Sequence, residues 1–589
     1  MDFYRFYTGT EFEAYQYLGA HFTPEKTVFR TFAPGAEQVS LLLGSEEILM
    51  NRIYDGNFYE IEVSNLKEGV TYEYRIDKNH RGYTDHCDPY GFGMELRPSH
   101  RSIVRNMDNY EFRDKNWMKQ RKDTQSLPVN IYEIHAGSFR KPKGKPGWYS
   151  YEELGKVLIP HLKECGYNYV EFMPLSEHPS DESWGYQNTG FFAPTRRYGT
   201  AKQLKSLIDE LHQNQIGVLL DFVPVHFALD DYGLRKYGGS ELYEYPSADV
   251  GISEWGSCNF IHSRGEVRSF LQSCANYWLN EYHFDGLRMD AISRMIYWQG
   301  DEKRGENRNA IDFIKVMNQG LKERHPGCIL AAEDSTNYPG VTKPVHAGGL
   351  GFDYKWNMGW MNDTLAYFSL PPERRVEEYH QLTFSMVYAY NENYLLPLSH
   401  DEVVHGKASI VQKMNGAYEE KFPQAKALYV YMMTHPGKKL NFMGNEIGQM
   451  REWDERREQD WDLLKYPVHD AFYRFHCFLN TLYLSHPSLS EKDNDPEGFT
   501  WIDCHAREKC LYVYQRAAKR EKIIVLLNLS NQPQKSGSLA LEQKYQVLLD
   551  TEWERFGGRK KEKTEHYQGE IVIQMEAYSG MMLISQGSV

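Results

Sequence analysis

The stretch Gly286-Leu287-Arg288-Met289-Asp290 decides the fold of this chain of 589 residues. It is a short apolar run that ends in a carboxylate, and two similar runs lead into Glu333 and Asp401. An apolar run of this length, bounded by polar residues, is typical of a buried strand. Because burying an unpaired carboxylate is costly, an acid at the end of such a strand indicates a rim rather than a core position.

Eight apolar runs of this kind occur along the middle of the chain, and helical segments separate many of them. The runs are residues 129–134, 169–173, 218–223, 286–289, 329–332, 352–356, 395–398 and 440–443. The helical patterns cover residues 151–164, 201–213, 266–282 and 309–324. This alternation predicts an α/β fold, a closed parallel (β/α)8 or TIM barrel. An open doubly wound sheet is the alternative, but it would require an early glycine-rich phosphate loop, and the sequence has none after the first strand.

The regions on either side of the barrel carry short alternating runs with Gly and Pro between them, which indicates β-structure. Examples are residues 27–34 and 71–76 before the barrel, and residues 511–514 and 522–528 after it. We therefore predict three domains. They are an N-terminal β-sandwich over residues 1–112, a catalytic barrel over residues 113–492, and a C-terminal all-β sandwich domain over residues 493–589.

The composition limits the partners that we expect. A net charge of −14 argues against a nucleic acid or an anionic membrane, but it suits a neutral polysaccharide. The eight Cys stand singly without zinc spacing, and no motif signals a cofactor or a metal ion. No apolar run is long enough to span a bilayer, so we expect a cytoplasmic protein. The oligomeric state stays open, with a monomer as the default expectation.

The active site of a TIM barrel lies at the carboxyl ends of its strands. The polar residues at or after those ends are Glu133, His135, Glu171, Asp221, His226, Arg288, Asp290, Glu333, Asp334, His400, Asp401, Asn445 and Glu446. A single acid at such a position is more often a helix cap, but chance caps would not select the same end of so many strands. A ring of carboxylates suits cleavage of glycosidic bonds, which needs an acid and a nucleophile or base.

The spacing of Arg288 and Asp290, two positions apart on one strand, places both side chains on the same face. We therefore expect the guanidinium to lower the pKa of Asp290 and to keep it ionised. Glu333 follows small apolar residues, so we expect burial and nearby acids to raise its pKa.

Four blocks around these residues carry a family pattern. They are Asp221-Phe222-Val223-Pro224-Val225-His226, Gly286-Leu287-Arg288-Met289-Asp290-Ala291, Ala332-Glu333-Asp334-Ser335 and Leu398-Ser399-His400-Asp401. In this order, the blocks resemble the four signature regions of the α-amylase family, glycoside hydrolase family 13. Residues 395–407, 183–187 and 355–361 are further similar to segments of 1,4-α-glucan (glycogen) branching enzymes.

The resemblance implies a role for each acid. Asp290 would be the nucleophile, Glu333 the general acid/base, and Asp401 the residue that stabilises the transition state. It also implies a set of substrate-binding residues: Tyr186, Asp221, His226, Arg288 and His400.

The implied reaction is a retaining double displacement. An α-1,4-glucan chain would be cleaved and transferred to the 6-hydroxyl of a glucan, which makes α-1,6 branches in glycogen without a cofactor or a metal. α-1,4-Glucan or glycogen would be donor and acceptor. One alternative is an amylase-type α-glucan hydrolase of the same superfamily. An alternative of another class is a non-catalytic glycan-binding protein.

Three segments depart from the family pattern. Residues 255–263 and the shortened stretch 296–308 are predicted to lie in loops above the barrel, where an acceptor chain would bind. The N-terminal region resembles a family 48 carbohydrate-binding module, but residues 44–49 replace the Gly-Asp-Phe-Asn-x-Trp stretch of that family.

Overall fold

The computed structural model describes residues 1–78, 82–144 and 146–586. Its centre is a closed barrel of eight parallel strands, β1 to β8 in chain order. The strands are β1 Asn130–Ile134, β2 Tyr169–Phe172, β3 Gly217–Phe222, β4 Gly286–Met289, β5 Ile329–Ala332, β6 Tyr354–Trp356, β7 Tyr394–Leu398 and β8 Lys438–Phe442. Each predicted run forms one of these strands, so the TIM barrel is confirmed and the open sheet is wrong.

The strand β4 shows why this sequence closes a barrel. All its residues are buried, as expected for a parallel strand covered on both faces. Gly286 is required where β4 meets β5, because an added Cβ would lie 2.1 Å from the carbonyl oxygen of Ile329. In register with Arg288 lie Asp221 of β3 on one side and Ala331 of β5 on the other. The small side chain of Ala331 leaves space for the long side chain of Arg288 inside the barrel.

Helices surround the barrel, with one interruption. The helices Tyr151–Glu164, Ala201–Gln213, Gly265–Glu281 and Arg308–Arg324 follow β1 to β4, close to the predicted spans. Those after β6, β7 and β8 are Met358–Ser369, Pro372–Glu377, Tyr379–Tyr388, Ile410–Lys413, Tyr418–Thr434 and Pro467–Ser485. Short helices lie at Lys115–Gln120, Ala248–Gly251 and Ile292–Ile296. Residues 333–353 between β5 and β6, all of them described, contain only the 3-10 turn Val345–Ala347.

The N-terminal region consists of two antiparallel sheets. One contains Gly19–Phe22, Lys26–Phe32, Asn51–Ile53 and Phe58–Ser64, and the other contains Gln38–Leu43, Glu46–Leu49, Thr71–Asp77, Tyr83–His86 and Ser102–Ile103. The predicted β-rich character is therefore confirmed, whereas the boundary at residue 112 stays a prediction.

The helix Phe3–Thr8, which the sequence did not predict, lies against the barrel helix Gly265–Glu281. Ser269, Gln272 and Asn276 of the barrel helix donate hydrogen bonds of 2.8–2.9 Å to the backbone carbonyls of residues 6, 9 and 12. The beginning of the chain is thus attached to the barrel as well as to its own sheets.

The C-terminal region is also rich in strands. A six-stranded antiparallel sheet contains Phe499–Asp503, Leu511–Ala517, Lys522–Asn528, Leu539–Asp550, His566–Ile571 and Ser579–Ser585, and a two-stranded sheet contains Gln534–Lys535 and Gln574–Met575. The all-β character is confirmed, and the start of this domain at residue 493 stays a prediction. In the part of the chain that the structure describes, no helix has the length and apolar character needed to cross a membrane.

A buried ion cluster joins the C-terminal sheet to the barrel. The carboxylate of Asp493 lies 3.0 Å from Lys438 Nζ at the start of β8 and 2.9 Å from Arg516 Nη2 in the sheet. All three side chains are fully buried. Lys438 Nζ also donates to the carbonyls of residues 125 and 127, so the cluster holds the segment that leads into β1.

Candidate active site

Arg288 is the centre of the site. Its Nη1 lies 2.6 Å from Asp221 Oδ2 and 2.8 Å from Asp290 Oδ1, and its guanidinium carbon lies 4.3 Å from the ring centroid of Trp356. The hydroxyl of Tyr186 donates a hydrogen bond to Asp221 Oδ2. Because Arg288 holds Asp221 and Asp290 at once, it fixes the orientation of both carboxylates.

The ends of β4 and β5 bring Asp290 and Glu333 together. Asp290 N donates to the Phe222 carbonyl of β3 (3.0 Å), and Glu333 N donates to the Met289 carbonyl of β4 (3.0 Å). The next residue, Ala291, has a left-handed φ of 49°, and its N–H donates to Glu333 Oε2 at 2.8 Å. A non-glycine residue in this conformation is strained, and such strain is concentrated at functional sites.

His400 lies on the β7 side of the site. Its backbone N donates to Glu133 Oε2 at 2.9 Å, and its Nδ1 lies 2.5 Å from Glu133 Oε1. Its other ring nitrogen, Nε2, lies 3.3 Å from the Tyr186 hydroxyl and 3.5 Å from Asp401 Oδ1. The rings of His400 and Tyr186 stack with their centroids 5.6 Å apart. Glu133 thus sets the orientation of His400 from the opposite side of the imidazole.

The two central acids have raised pKa values. Burial raises the pKa of Asp290 to about 6. Arg288 acts in the opposite direction, but the negative charges of Asp221 and Asp401 offset part of its effect. Arg288 therefore lowers this pKa as expected, but burial has the larger effect and the net shift is upward. Burial raises the pKa of Glu333 to about 7 despite Arg288, and Asp290 and Asp401 add to the shift, in the direction expected.

His400 and Asp401 form an oppositely charged pair. Burial disfavours the charged imidazole, but Asp401 and Glu133 outweigh burial and raise the pKa of His400 to about 9. Burial also disfavours the charge on Asp401, yet His400 and Arg288 hold the pKa of Asp401 below its usual value. The side chain of Asp401 is 45% exposed, so this carboxylate faces the open mouth of the site.

Several residues from the predicted ring lie outside this cluster. Glu446 accepts a hydrogen bond from Tyr132 (2.7 Å) and pairs with His161 at 3.1 Å, and Asp334 pairs with Lys355 at 2.8 Å. These contacts give both acids structural partners.

Two further residues of the predicted ring are buried without full hydrogen bonding. Glu171 finds no hydrogen-bond partner for either carboxyl oxygen among the described residues, and burial raises its pKa well above the usual value. His226 makes a ring contact with Trp255, with centroids 5.3 Å apart.

The arrangement provides one carboxyl that loses its proton easily and one that keeps it. At a pH between about 6 and 7, Asp290 is mainly ionised and Glu333 is mainly protonated. The roles of the eight predicted site residues stay predictions. The sequence placed Glu133 at a strand end but gave no sign of its contact with His400, because that contact joins residues 267 positions apart.

Solved structures of pullulanases have a similar fold. The pullulanase type I from Bacillus subtilis complexed with maltose matches with a TM-score of 0.75 and 18% identity, over 97% of this chain and 85% of that one. The pullulanase from Bacillus acidopullulyticus matches with a TM-score of 0.74 and 18% identity, over 96% of this chain and 75% of that one. Identities this low support the fold alone.

Three domain families match the sequence itself. Residues 1–90 match the N-terminal domain of the alpha-1,4-glucan branching enzyme GlgB. Residues 158–236 and 257–500 match the alpha amylase catalytic domain, and residues 501–586 match the alpha amylase C-terminal all-beta domain.

Curated relatives extend this match to nearly the whole chain. The 1,4-alpha-glucan branching enzyme GlgB of Fusobacterium nucleatum is 40% identical over 580 residues, which is 96% of this chain and 94% of that protein. The enzyme of the same name from Geobacillus stearothermophilus is 41% identical over 579 residues, 95% of this chain and 90% of that protein. Such identity, sustained from the N-terminal sheets through the barrel to the C-terminal sheet, means that the chain belongs to the 1,4-α-glucan branching enzyme (GlgB) family.

Proposed function

We propose that this enzyme cleaves an α-1,4 bond in a glucan chain and transfers the released segment to a 6-hydroxyl of glycogen. The observation that carries the chemistry is the pair of acids directly after β4 and β5, with a pKa of about 6 for Asp290 and about 7 for Glu333. The names of the full-length relatives support α-1,4-glucan as donor and acceptor.

In the first half of the proposed reaction, Asp290 is the nucleophile and Glu333 is the acid. Asp290 attacks the anomeric carbon and forms a covalent bond to it, while the bond from that carbon to the 4-oxygen of the next glucose breaks. Glu333 gives its proton to that oxygen, and the leaving chain departs with a free 4-hydroxyl. The carboxylate of Asp401 stabilises the positive charge that develops on the sugar ring. The guanidinium of Arg288 holds Asp290 and Asp221 in position.

In the second half, Glu333 acts as the base. It takes the proton of a 6-hydroxyl on an acceptor chain, and the oxygen attacks the same anomeric carbon. The bond to Asp290 breaks, its carboxylate is restored, and an α-1,6 bond remains. Water could take the place of the 6-hydroxyl, and hydrolysis is therefore the competing reaction.

One assay separates the three activities considered for this chain. The protein is incubated with amylose, and the iodine stain and the reducing ends are followed before a debranching digestion. We expect the stain to fall without new reducing ends, and short chains to appear only after debranching. New reducing ends before debranching would indicate a hydrolase, and an unchanged stain would indicate a protein that only binds glucan.

The contact between Glu133 and His400 leads to a prediction about pH. Replacement of Glu133 by Gln removes the charge beside His400 Nδ1, so the pKa of His400 should fall from about 9 and the imidazole should lose its charge at pH 7. We expect the branching rate at pH 7 to fall by about 10-fold or more, as for the loss of one positioned charge in a dry site. Relative to the wild type at the same pH, the variant should partly recover as the pH is lowered from 8 towards 6, because acid restores the imidazolium. The rate is measured from pH 5 to 8.

Glu171→Gln is the matched control for this variant. Glu171 pairs in register with Glu133 on the neighbouring strand, and burial raises its pKa well above the usual value, so we expect it to be neutral at pH 7. An amide there removes no charge, so we expect the activity to stay within about twofold of the wild type. An equal loss in both variants at every pH would mean that Glu133 acts only by filling space.

A further inference from the structure

An exposed tryptophan stands at the rim of the barrel beside the site. Trp255 is 46% exposed, and it lies at the tip of a tight turn formed by residues 253–257, here called the Trp255 turn. Ser253 Oγ lies 2.6 Å from Ser257 Oγ, and Gly256 N donates to the Ser253 carbonyl at 3.1 Å. The turn is therefore held by its own hydrogen bonds, and the indole is presented on a fixed support.

Three contacts tie the Trp255 turn to the active site. The Trp255 ring lies 5.3 Å from the ring of His226, and the guanidinium carbon of Arg294 lies 5.0 Å from the indole centroid. Gln187, the residue after Tyr186, donates from Nε2 to the Trp255 carbonyl at 3.1 Å. The indole is thus fixed relative to the residues that surround Arg288.

The shortened stretch 296–308 supports the Trp255 turn from behind. Gln299 Nε2 donates to the carbonyls of Asp249 and Ile252 at 2.9 Å each, and Gln299 O accepts a hydrogen bond from Arg294. Asn259 Nδ2 also donates to Gln299 Oε1 at 3.3 Å, so the segments 255–263 and 296–308, which depart from the family pattern, are in contact and form one wall. The match to the alpha amylase catalytic domain is interrupted at residues 237–256, which include Trp255.

The position of this wall shows which part of the substrate it would meet. Arg294 belongs to the helix Ile292–Ile296, whose first N–H donates to the Glu333 carbonyl oxygen at 2.9 Å. Arg294 therefore places the wall beside Glu333. Trp255 contacts His226, which follows β3, whereas His400 and Asp401 follow β7 on the opposite side of the closed barrel. In the proposed mechanism, Glu333 protonates the leaving chain and later takes a proton from the acceptor, so both must lie on its side of the cleaved bond.

We propose that Trp255 is the stacking platform for a glucose unit of the acceptor α-glucan, and that it favours a glucan hydroxyl over water in the second half-reaction. The proposal rests on the proposed function. An aromatic face buries the apolar face of a sugar ring at little entropic cost, because the indole is already held in place. An acceptor that stacks on Trp255 would occupy the space that a hydrolytic water needs.

The test compares Trp255→Ala with Trp255→Phe, which keeps an aromatic face. The ratio of α-1,6 bonds formed to reducing ends released is measured on amylose. We expect Trp255→Ala to lower this ratio by about 3- to 10-fold, in keeping with the loss of one aromatic stacking contact, and Trp255→Phe to keep most of it. The control Phe384→Ala removes an aromatic ring that is 55% exposed on the helix Tyr379–Tyr388, and should leave the ratio unchanged.

A binding measurement keeps this inference separate from the proposed function. Maltoheptaose is titrated calorimetrically into Glu333→Gln and into the double variant Glu333→Gln with Trp255→Ala. We expect the double variant to bind about 3- to 10-fold more weakly. Equal affinities together with an unchanged transfer ratio would overturn the role of Trp255. A wild-type protein that makes no branches would overturn the proposed function, and the titration alone would then decide whether Trp255 binds glucan.

Discussion

The variant Asp290→Asn is expected to lose chain transfer by about 10⁴-fold or more, since an amide cannot form the covalent bond to the anomeric carbon. The amide is close in size to the carboxylate, and Arg288 keeps its contact with Asp221 at 2.6 Å, so the fold should be retained. The rate of the variant is measured on amylose by the iodine stain, and its thermal unfolding is compared with that of the wild type.

Trapping of the covalent intermediate tests the same residue directly. A 2-fluoro maltooligosyl fluoride reacts with the nucleophile of a retaining enzyme and leaves a slowly hydrolysed adduct. Mass spectrometry of the digested wild type should place the adduct on the peptide that contains Asp290. An adduct on the peptide of Glu333 or Asp401 would contradict the assignment.

Glu333→Gln has the second largest expected effect. Because the glutamine cannot protonate the leaving oxygen, we expect cleavage of amylose to slow by about 10²- to 10⁴-fold. A maltooligosyl fluoride needs no proton for its leaving group, so the initial burst of fluoride release by the same variant should be much less affected, whereas later turnovers are slow because Glu333 is also the base of the second half-reaction. If the burst slowed as much as the cleavage of amylose, Glu333 would not be the acid, and if Asp290→Asn spared the burst, the two roles would be exchanged.

The pH profile gives an independent reading of Glu333. In the wild type, kcat/KM should rise as the pH passes about 6, where Asp290 loses its proton, and fall as the pH passes about 7, where Glu333 loses its own. Glu333→Gln carries no titrating group there, so its residual activity should keep the acid limb and lose the alkaline limb. An alkaline limb that persists in the variant would have to come from another group.

The strands of the barrel could be predicted because a strand that is buried on both faces appears in the sequence as a nearly continuous apolar run. Ile329–Ala332 is apolar throughout and Gly286–Met289 is apolar apart from Arg288, and an acid after each run marks the rim. The charge balance of the site could not be predicted in the same way. The pKa of Asp290 depends on Asp221, which shares Arg288, and on Asp401 from a strand far along the chain. Such terms depend on the closed barrel and not on local spacing.

The strand-end pattern also selected residues whose contacts are structural and lie outside the active site. Asp290 directly follows β4, whereas Glu446 lies in the loop four residues after the end of β8, and its partners are Tyr132 and His161. The direction of a side chain in such a loop depends on the path of the loop, which the local sequence does not specify. The helix Phe3–Thr8 was missed for a similar reason, since six residues give too short a pattern and its stability comes from the barrel helix beside it.

The ion cluster of Asp493, Lys438 and Arg516 matters for exchanging domains between relatives. A chain that ended at residue 492 would lose both Asp493 and Arg516 and leave the ammonium group of Lys438 without its counter-ion; a buried ion that loses its partner costs about 3–5 kcal/mol. A C-terminal domain from a relative would therefore be accepted only if it brought an acid to the same point below β8. Substitutions in this ion cluster therefore have to occur together in the barrel and in the C-terminal domain.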